Sequence, residues 1–235
     1  MKVKSKFSTI LLLWDVDNTL LERINNVRSN THLNAIKKHF NLNDLKFLNP
    51  KNYEFNGKTD IEILSEILTS LKIEVSANEF VQIVRELEEI TERDTANASF
   101  KSLPGINVTL KDCKKNNITN GILTGNTLKR CLIKLQNVDI LNKFDPRYIY
   151  TADEKLMSEK RRDIIKKAYT ENLAKFKKII FIGDSFYECS IFNELGYNYV
   201  AICKNDLDLK ECFRLNPNLT FNEIPMNFLD VIGKI

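Results

Sequence analysis

Five short apolar runs, each continuous and each ending abruptly in polar residues, constrain this chain more than any other feature. The first covers residues 8–14 and is stopped by Asp15. The others are Thr119 to Leu123, Tyr148 to Tyr150, Lys178 to Ile182 and Tyr199 to Cys203. Runs this short and this continuous read as strands buried on both faces. Amphipathic stretches of helical length lie between them, such as Thr127 to Gln136 and Arg161 to Phe176. Strands alternating with helices predict an α/β fold, a Rossmann-like parallel sheet with helices on both faces. Ligands of such sheets gather at the carboxyl ends of the strands, so the residues that follow each run are the ones to inspect.

Residues 22–98 break this rhythm, with helical patterning and little strand signal. Thr59-Asp-Ile-Glu62 and Ser76-Ala-Asn-Glu79 both match the capping box, in which hydroxyl and carboxylate satisfy each other's backbone donors. Ile61, Leu64 and Leu68, then Phe80, Ile83, Val84 and Leu87, follow at helical spacing. The spacing predicts a helical module over 22–98, inserted after the first strand of a core made of residues 1–21 and 99–235.

The rest of the composition mainly excludes. Lys and Arg number 35 against 31 Asp and Glu, a net charge of +4 over 235 residues. That balance predicts no nucleic-acid partner, which would concentrate basic residues on one face. The apolar run ending at Trp14 is far too short to span a bilayer and is followed by no small-residue cleavage site, so no membrane partner and a cytoplasmic location are expected. Five cysteines without a C-x-x-C pair point to buried reduced thiols. The two histidines, His32 and His39, share one early helical stretch. Chemistry in this chain is therefore expected from carboxylates.

Those carboxylates stand at the strand ends. Asp15 and Asp17 are two apart in extended chain and point to the same side. Ile180-Phe-Ile-Gly-Asp184 is a second apolar strand ending in acid, with Glu188 four residues on. Asp15, Asp17, Asp184 and Glu188 can converge on one sheet edge, where such oxygen ligands suit Mg²⁺. Thr124, Gly125 and Asn126 form a small turn at the end of the second strand, where a helix start favours a phosphate oxygen. Lys160-Arg161-Arg162 opens a later helix and can neutralise phosphoryl charge.

With these pieces in order, the chain resembles the haloacid dehalogenase-like hydrolases. That family carries an Asp-x-Asp-x-Thr after strand one, a Thr or Ser after strand two, a Lys or Arg before a later helix, and an acid pair after strand four. Leu103-Pro-Gly105, Leu123-Thr-Gly-Asn126 and Gly57-Lys-Thr-Asp60 are similar to the phosphoglycolate phosphatase-like branch. The resemblance implies that the insert is a helical cap and that Asp15 is a nucleophile forming an aspartyl-phosphate. It implies that Asp17 is the general acid and base. Asp15, the backbone carbonyl of Asp17, Asp184 and, directly or through water, Glu188 are the implied Mg²⁺ ligands. Thr124 and amides near Gly125 and Asn126 would grip the phosphoryl group. The substrate implied is a small phosphorylated metabolite such as phosphoglycolate, with nucleotide or sugar phosphates left open. A sugar phosphomutase using the same intermediate, and a non-catalytic binding or regulatory protein on the same scaffold, are the alternatives. For the basic motif, Ile164, Ile165, Ala168 and Tyr169 set the apolar face of the helix. Arg161 projects near the centre of that face and Lys160 to its side, which favours Arg161 over Lys160.

Overall fold

The first strand is the axis of the molecule. In the computed structural model, which describes residues 9–24, 31–42, 55, 57–96, 100–153, 158–216 and 218–235, strand β1 spans Ile10–Trp14 and is buried along its whole length. It has a parallel partner on each side, β4 (Thr119–Thr127) and β6 (Lys178–Gly183). Its side chains alternate as a pleated strand must. Leu11 and Leu13 enter one apolar cluster, and Ile10, Leu12 and Trp14 enter the other. The Trp14 indole donates to Asn120 Oδ1 at 2.9 Å, which satisfies the polar atom of a fully buried ring.

The sheet is parallel throughout and has six strands in the order β5-β4-β1-β6-β7-β8, where β5 is Ile149–Ala152, β7 Asn198–Ile202 and β8 Thr220–Phe221. One face carries helices α6 (Arg161–Asn172), α7 (Phe186–Glu194) and α8 (Asp206–Leu215). The other carries α4 (Ile106–Lys115), α5 (Leu128–Asn137) and α9 (Phe228–Lys234). The chain builds outward from β1 to β4 and β5, then returns to the other side of β1 with β6. The reversal opens a crevice between the ends of β1 and β6, and Asp15 and Asp184 lie on its two lips.

Between β1 and β4 stand α1 (Thr31–His39), α2 (Asp60–Ser70) and α3 (Ala77–Ala96), packed through Leu33, Ile36, Ile61, Leu64, Phe80 and Leu87. Both expected capping boxes form: Thr59 and Glu62 exchange bonds of 2.8 and 3.0 Å, and Ser76 and Glu79 bonds of 2.8 and 3.3 Å.

Several local expectations are corrected. The strand expected over Thr119 to Leu123 runs on to Thr127, with a register shift against β5 after Leu123. The strand expected at Tyr148 to Tyr150 is Ile149–Ala152, preceded by a 3₁₀ turn at Pro146–Tyr148. The long helix after Arg161 stops at Asn172, whose side chain turns back to the Ala168 carbonyl and to Tyr150. An antiparallel ribbon of β2 (Leu21–Arg23) and β3 (Phe100–Ser102) joins the two crossings between sheet and insert; it and β8 are too short for a sequence period to announce. Ser8 and Ser99 lie outside the described residues. All five cysteines are buried and free, with burial pushing the Cys113 and Cys131 thiols up to about 12. No helix among the described residues is long and apolar enough to cross a membrane.

Candidate active site

The parallel register sets the level of the site. Trp14 pairs with Ile122 on β4 and with Ile182 on β6, so the residues after these three arrive at one height. Asp15 continues the ladder, donating its amide to the Ile182 carbonyl at 2.8 Å. The chain then turns tightly, with Asn18 at φ 58°. Asparagine tolerates this left-handed conformation better than most side chains.

Asp15, Asp184 and Glu188 present carboxylate oxygens within 4.8 Å of one another. Burial, then Glu188, raise Asp15 well above the usual carboxylate range despite the opposing Arg161 charge. Burial, then Asp15 and Glu188, raise Asp184 likewise. Three acids of this kind form a hard-oxygen donor set whose repulsion a divalent cation would relieve, so the residues fit a metal ion. The Asp17 carboxylate is not among them.

Arg161 is the countercharge. Its side chain is 1% exposed, and Nη2 donates to Asp15 Oδ1 and the Leu123 carbonyl, both at 2.9 Å, and to Glu188 Oε1. Nε and Nη1 of the same guanidinium are buried without a hydrogen-bond partner. A buried guanidinium with two idle donors is costly unless an anion completes it. Helix α6 begins at Arg161, whereas Lys160 is the exposed residue before it and directs its amide to Asp163.

On the other side, Asp17 is held by Asn126 and by Lys134, the second of which the sequence pattern did not single out. Lys134 Nζ lies 2.8 and 2.6 Å from the two Asp17 oxygens and 2.7 Å from Asn126 Oδ1. Asn126 Nδ2 donates to Asp17 at 2.8 Å and to Thr124 Oγ1 at 2.7 Å. Partial burial works against the ionised form of Asp17, but the Lys134 ammonium and these hydrogen bonds outweigh it and lower the carboxyl from its usual value. The Asn126 amide, expected to face a phosphoryl oxygen, donates to Thr124 Oγ1 at 3.3 Å. The α5 start, expected to favour a phosphate, already has an anion: Asp60 from the insert accepts from the Thr127 amide at 2.9 Å. Gly125 is hemmed in by Lys58 and Thr59; a Cβ there would stand 2.4 Å from the Lys58 carbonyl oxygen.

A cavity of about 180 Å³ adjoins Asp17, walled by Arg23, Thr31, Thr91, Phe100, Arg130 and Lys134. Arg130 and Lys134 sit four apart on α5 and so share one helix face; that spacing, beside Asn126, is the signal in the sequence that could have found them. Arg130 pairs with Asp60 and donates to Thr91 Oγ1 at 2.9 Å. His32, on α1, meets Asp60 at 2.8 Å rather than the acidic trio.

Residues 12–202 match the haloacid dehalogenase-like hydrolase family, and the chain belongs to it. Solved structures agree on the fold. A hydrolase from Pseudomonas syringae is 16% identical with a TM-score of 0.65, covering 97% of this chain and 99% of its own. A predicted phosphoglycolate phosphatase from Haemophilus somnus 129pt is 16% identical with a TM-score of 0.62, covering 97% of both. A candidate beta-phosphoglucomutase from Thermotoga maritima is 14% identical with a TM-score of 0.54, covering 96% and 99%. No curated protein sequence matches the chain closely enough to count as a relative.

Proposed function

We propose that the protein is a Mg²⁺-dependent phosphatase that hydrolyses a small phosphate monoester through an aspartyl-phosphate. The observation that carries this is Arg161, whose buried guanidinium touches Asp15 and keeps Nε and Nη1 without a hydrogen-bond partner. An anion seated there lies next to a carboxylate oxygen, the arrangement in-line phosphoryl transfer requires.

Asp15 attacks phosphorus, and the bond from phosphorus to the ester oxygen breaks. Asp17, held ionised by Lys134 in the free protein, takes up a proton from solvent as substrate binds and delivers it to that oxygen, then takes one from the water that attacks the acyl phosphate, releasing phosphate and restoring Asp15. Lys134 and Asn126 keep the Asp17 carboxylate aimed at the cavity. Thr124 and the Gly125 and Asn126 amides bind phosphoryl oxygens, which requires the Asn126 amide to leave Thr124 Oγ1. Asp15, Asp184, the Asp17 backbone carbonyl and Glu188 would hold Mg²⁺, which when bound neutralises charge between nucleophile and phosphate. The insert over residues 22–98 is the cap that closes the pocket against water. The small size of the cavity beside Asp17, about 180 Å³, favours a compact leaving group, as in a phosphorylated small acid.

The test is a screen of phosphate monoesters with and without Mg²⁺. Metal-dependent phosphate release from small esters is expected. No release from any ester overturns the reading, and isomerisation of a sugar phosphate without net release transfers it to a phosphomutase.

A further inference from the structure

Glu62 belongs to the insert, yet it touches the segment that carries Arg161. Its Oε2 accepts from the Thr59 amide at 2.8 Å, closing the α2 capping box, and also from the Arg161 amide at 3.1 Å. The Arg161 amide is one of the four at a helix start that have no partner within the helix. The preceding residue, Lys160, has no side-chain acceptor to offer. The helix that delivers the guanidinium is thus tethered from across the domain boundary.

The neighbours of Glu62 repeat the pattern. Thr59 Oγ1 donates to the Glu159 carbonyl at 3.3 Å, in the same approach to α6. Gly57, at φ 76°, packs so closely on the turn after β6 that a Cβ would meet Ser185 Oγ at 2.6 Å. Lys58 and Thr59 press on Gly125, near the C-terminal end of β4. Asp60 holds the Thr127 amide. Five of the six residues from Gly57 to Glu62 therefore touch the end of β4, the helix start of Arg161 or the turn leading to Glu188.

We propose that Gly57–Glu62 is a positioning element of the phosphoryl-transfer site, and that Glu62, through the Arg161 amide, sets the guanidinium against Asp15. The inference rests on the phosphatase reading for its consequence in rate, and on the fold alone for its geometry. The cap then does more than choose a leaving group: its docking assembles the site that handles the phosphate, whatever ester carries it.

Glu62→Ala and Glu62→Gln test this with p-nitrophenyl phosphate, whose leaving group needs no cap recognition. In Glu62→Ala, kcat is expected to fall about tenfold to a hundredfold with KM changed less than about twofold, since a misplaced catalytic group costs rate at this scale. Glu62→Gln retains an acceptor oxygen at the third helical position and should restore kcat. Amide hydrogen exchange over residues 158–164 should quicken in Glu62→Ala and return to the wild-type rate in Glu62→Gln. Unchanged exchange in Glu62→Ala overturns the inference whatever the activity; so does an equal loss of kcat in both variants. If wild type releases no phosphate from any ester while exchange responds as stated, the tether stands and the phosphatase reading fails. Should Glu62→Ala not fold, Glu62→Asp, one methylene shorter, must show the same faster exchange.

Discussion

Two buried acidic sites lie near the C-terminal end of β4, and they are opposites. Asp15 and Glu188 share a single guanidinium with Asp184 beside them, and burial with mutual repulsion raises Asp15 and Asp184 well above the ordinary carboxylate range. Asp60 stands alone against Arg130, His32 and the Thr127 amide; burial would raise it, but these partners win and lower it well below that range. Burial is common to both, so the sign follows from the count of partners. An acid site left short of positive charge is one built to receive it from a ligand. A site already balanced holds two parts of the molecule together.

The largest expected effect separates the two sites by activity. Asp15→Asn should lower phosphatase kcat by about a thousandfold or more, as loss of a nucleophile does, in a steady-state assay where Asp60→Asn keeps measurable turnover. Arg161→Ala should approach the Asp15→Asn loss, because the phosphate then meets three carboxylates with no guanidinium. Turnover near wild type in Asp15→Asn would rule out the covalent route.

Next is stability, where the two sites should move in opposite directions. Asp60→Asn removes one member of a buried ion pair and should destabilise by about 3 kcal/mol, read in urea melts. Asp184→Asn relieves repulsion and should stabilise the metal-free protein by about 1 kcal/mol. The pH dependence sharpens the contrast. The depressed Asp60 contributes stability that is present above the ordinary carboxylate pKa and is lost as pH falls towards its folded value. The raised Asp184 carries a cost that grows as pH rises from the ordinary value towards its folded one. The Asp184→Asn gain should therefore fade as pH falls towards about 4 and be absent below it, whereas the Asp60→Asn loss should shrink only as pH falls below about 4. Differences of the same sign would dissolve the comparison.

Adding Mg²⁺ at about a hundred times its Kd should stabilise wild type by about 2.7 kcal/mol and Asp184→Asn by much less, in a thermal melt without substrate. The smallest effect is expected at Lys160→Ala, within about 0.5 kcal/mol in stability and twofold in rate, as for an exposed surface residue.

The strand ends were legible because a parallel strand must be apolar on both faces and must stop somewhere; an acid at the stop marks both the boundary and the site. That reasoning reached Asp15, Asp17, Thr124, Asp184 and Glu188 from their spacing alone. It picked Arg161 from the helix face it shares with Ile164, Ile165 and Ala168, all buried. It did not reach Lys134 or Arg130, because a lysine and an arginine on an amphipathic helix look like any solvated face until the fold brings Asp17 and Asp60 to them. Glu62 was legible as the partner of Thr59 in a capping box; its second role needs Arg161, 99 positions away.

The pairing of β1 also decides when this protein can fold. Leu11 to Leu13 wait for β4 and then for β6 at Ile179 to Phe181. At ordinary synthesis rates the second partner emerges roughly ten to thirty seconds after the first strand has left the ribosome. Until residue 183 has been made, this apolar strand has at least one open edge, the kind of element that other chains bind most readily.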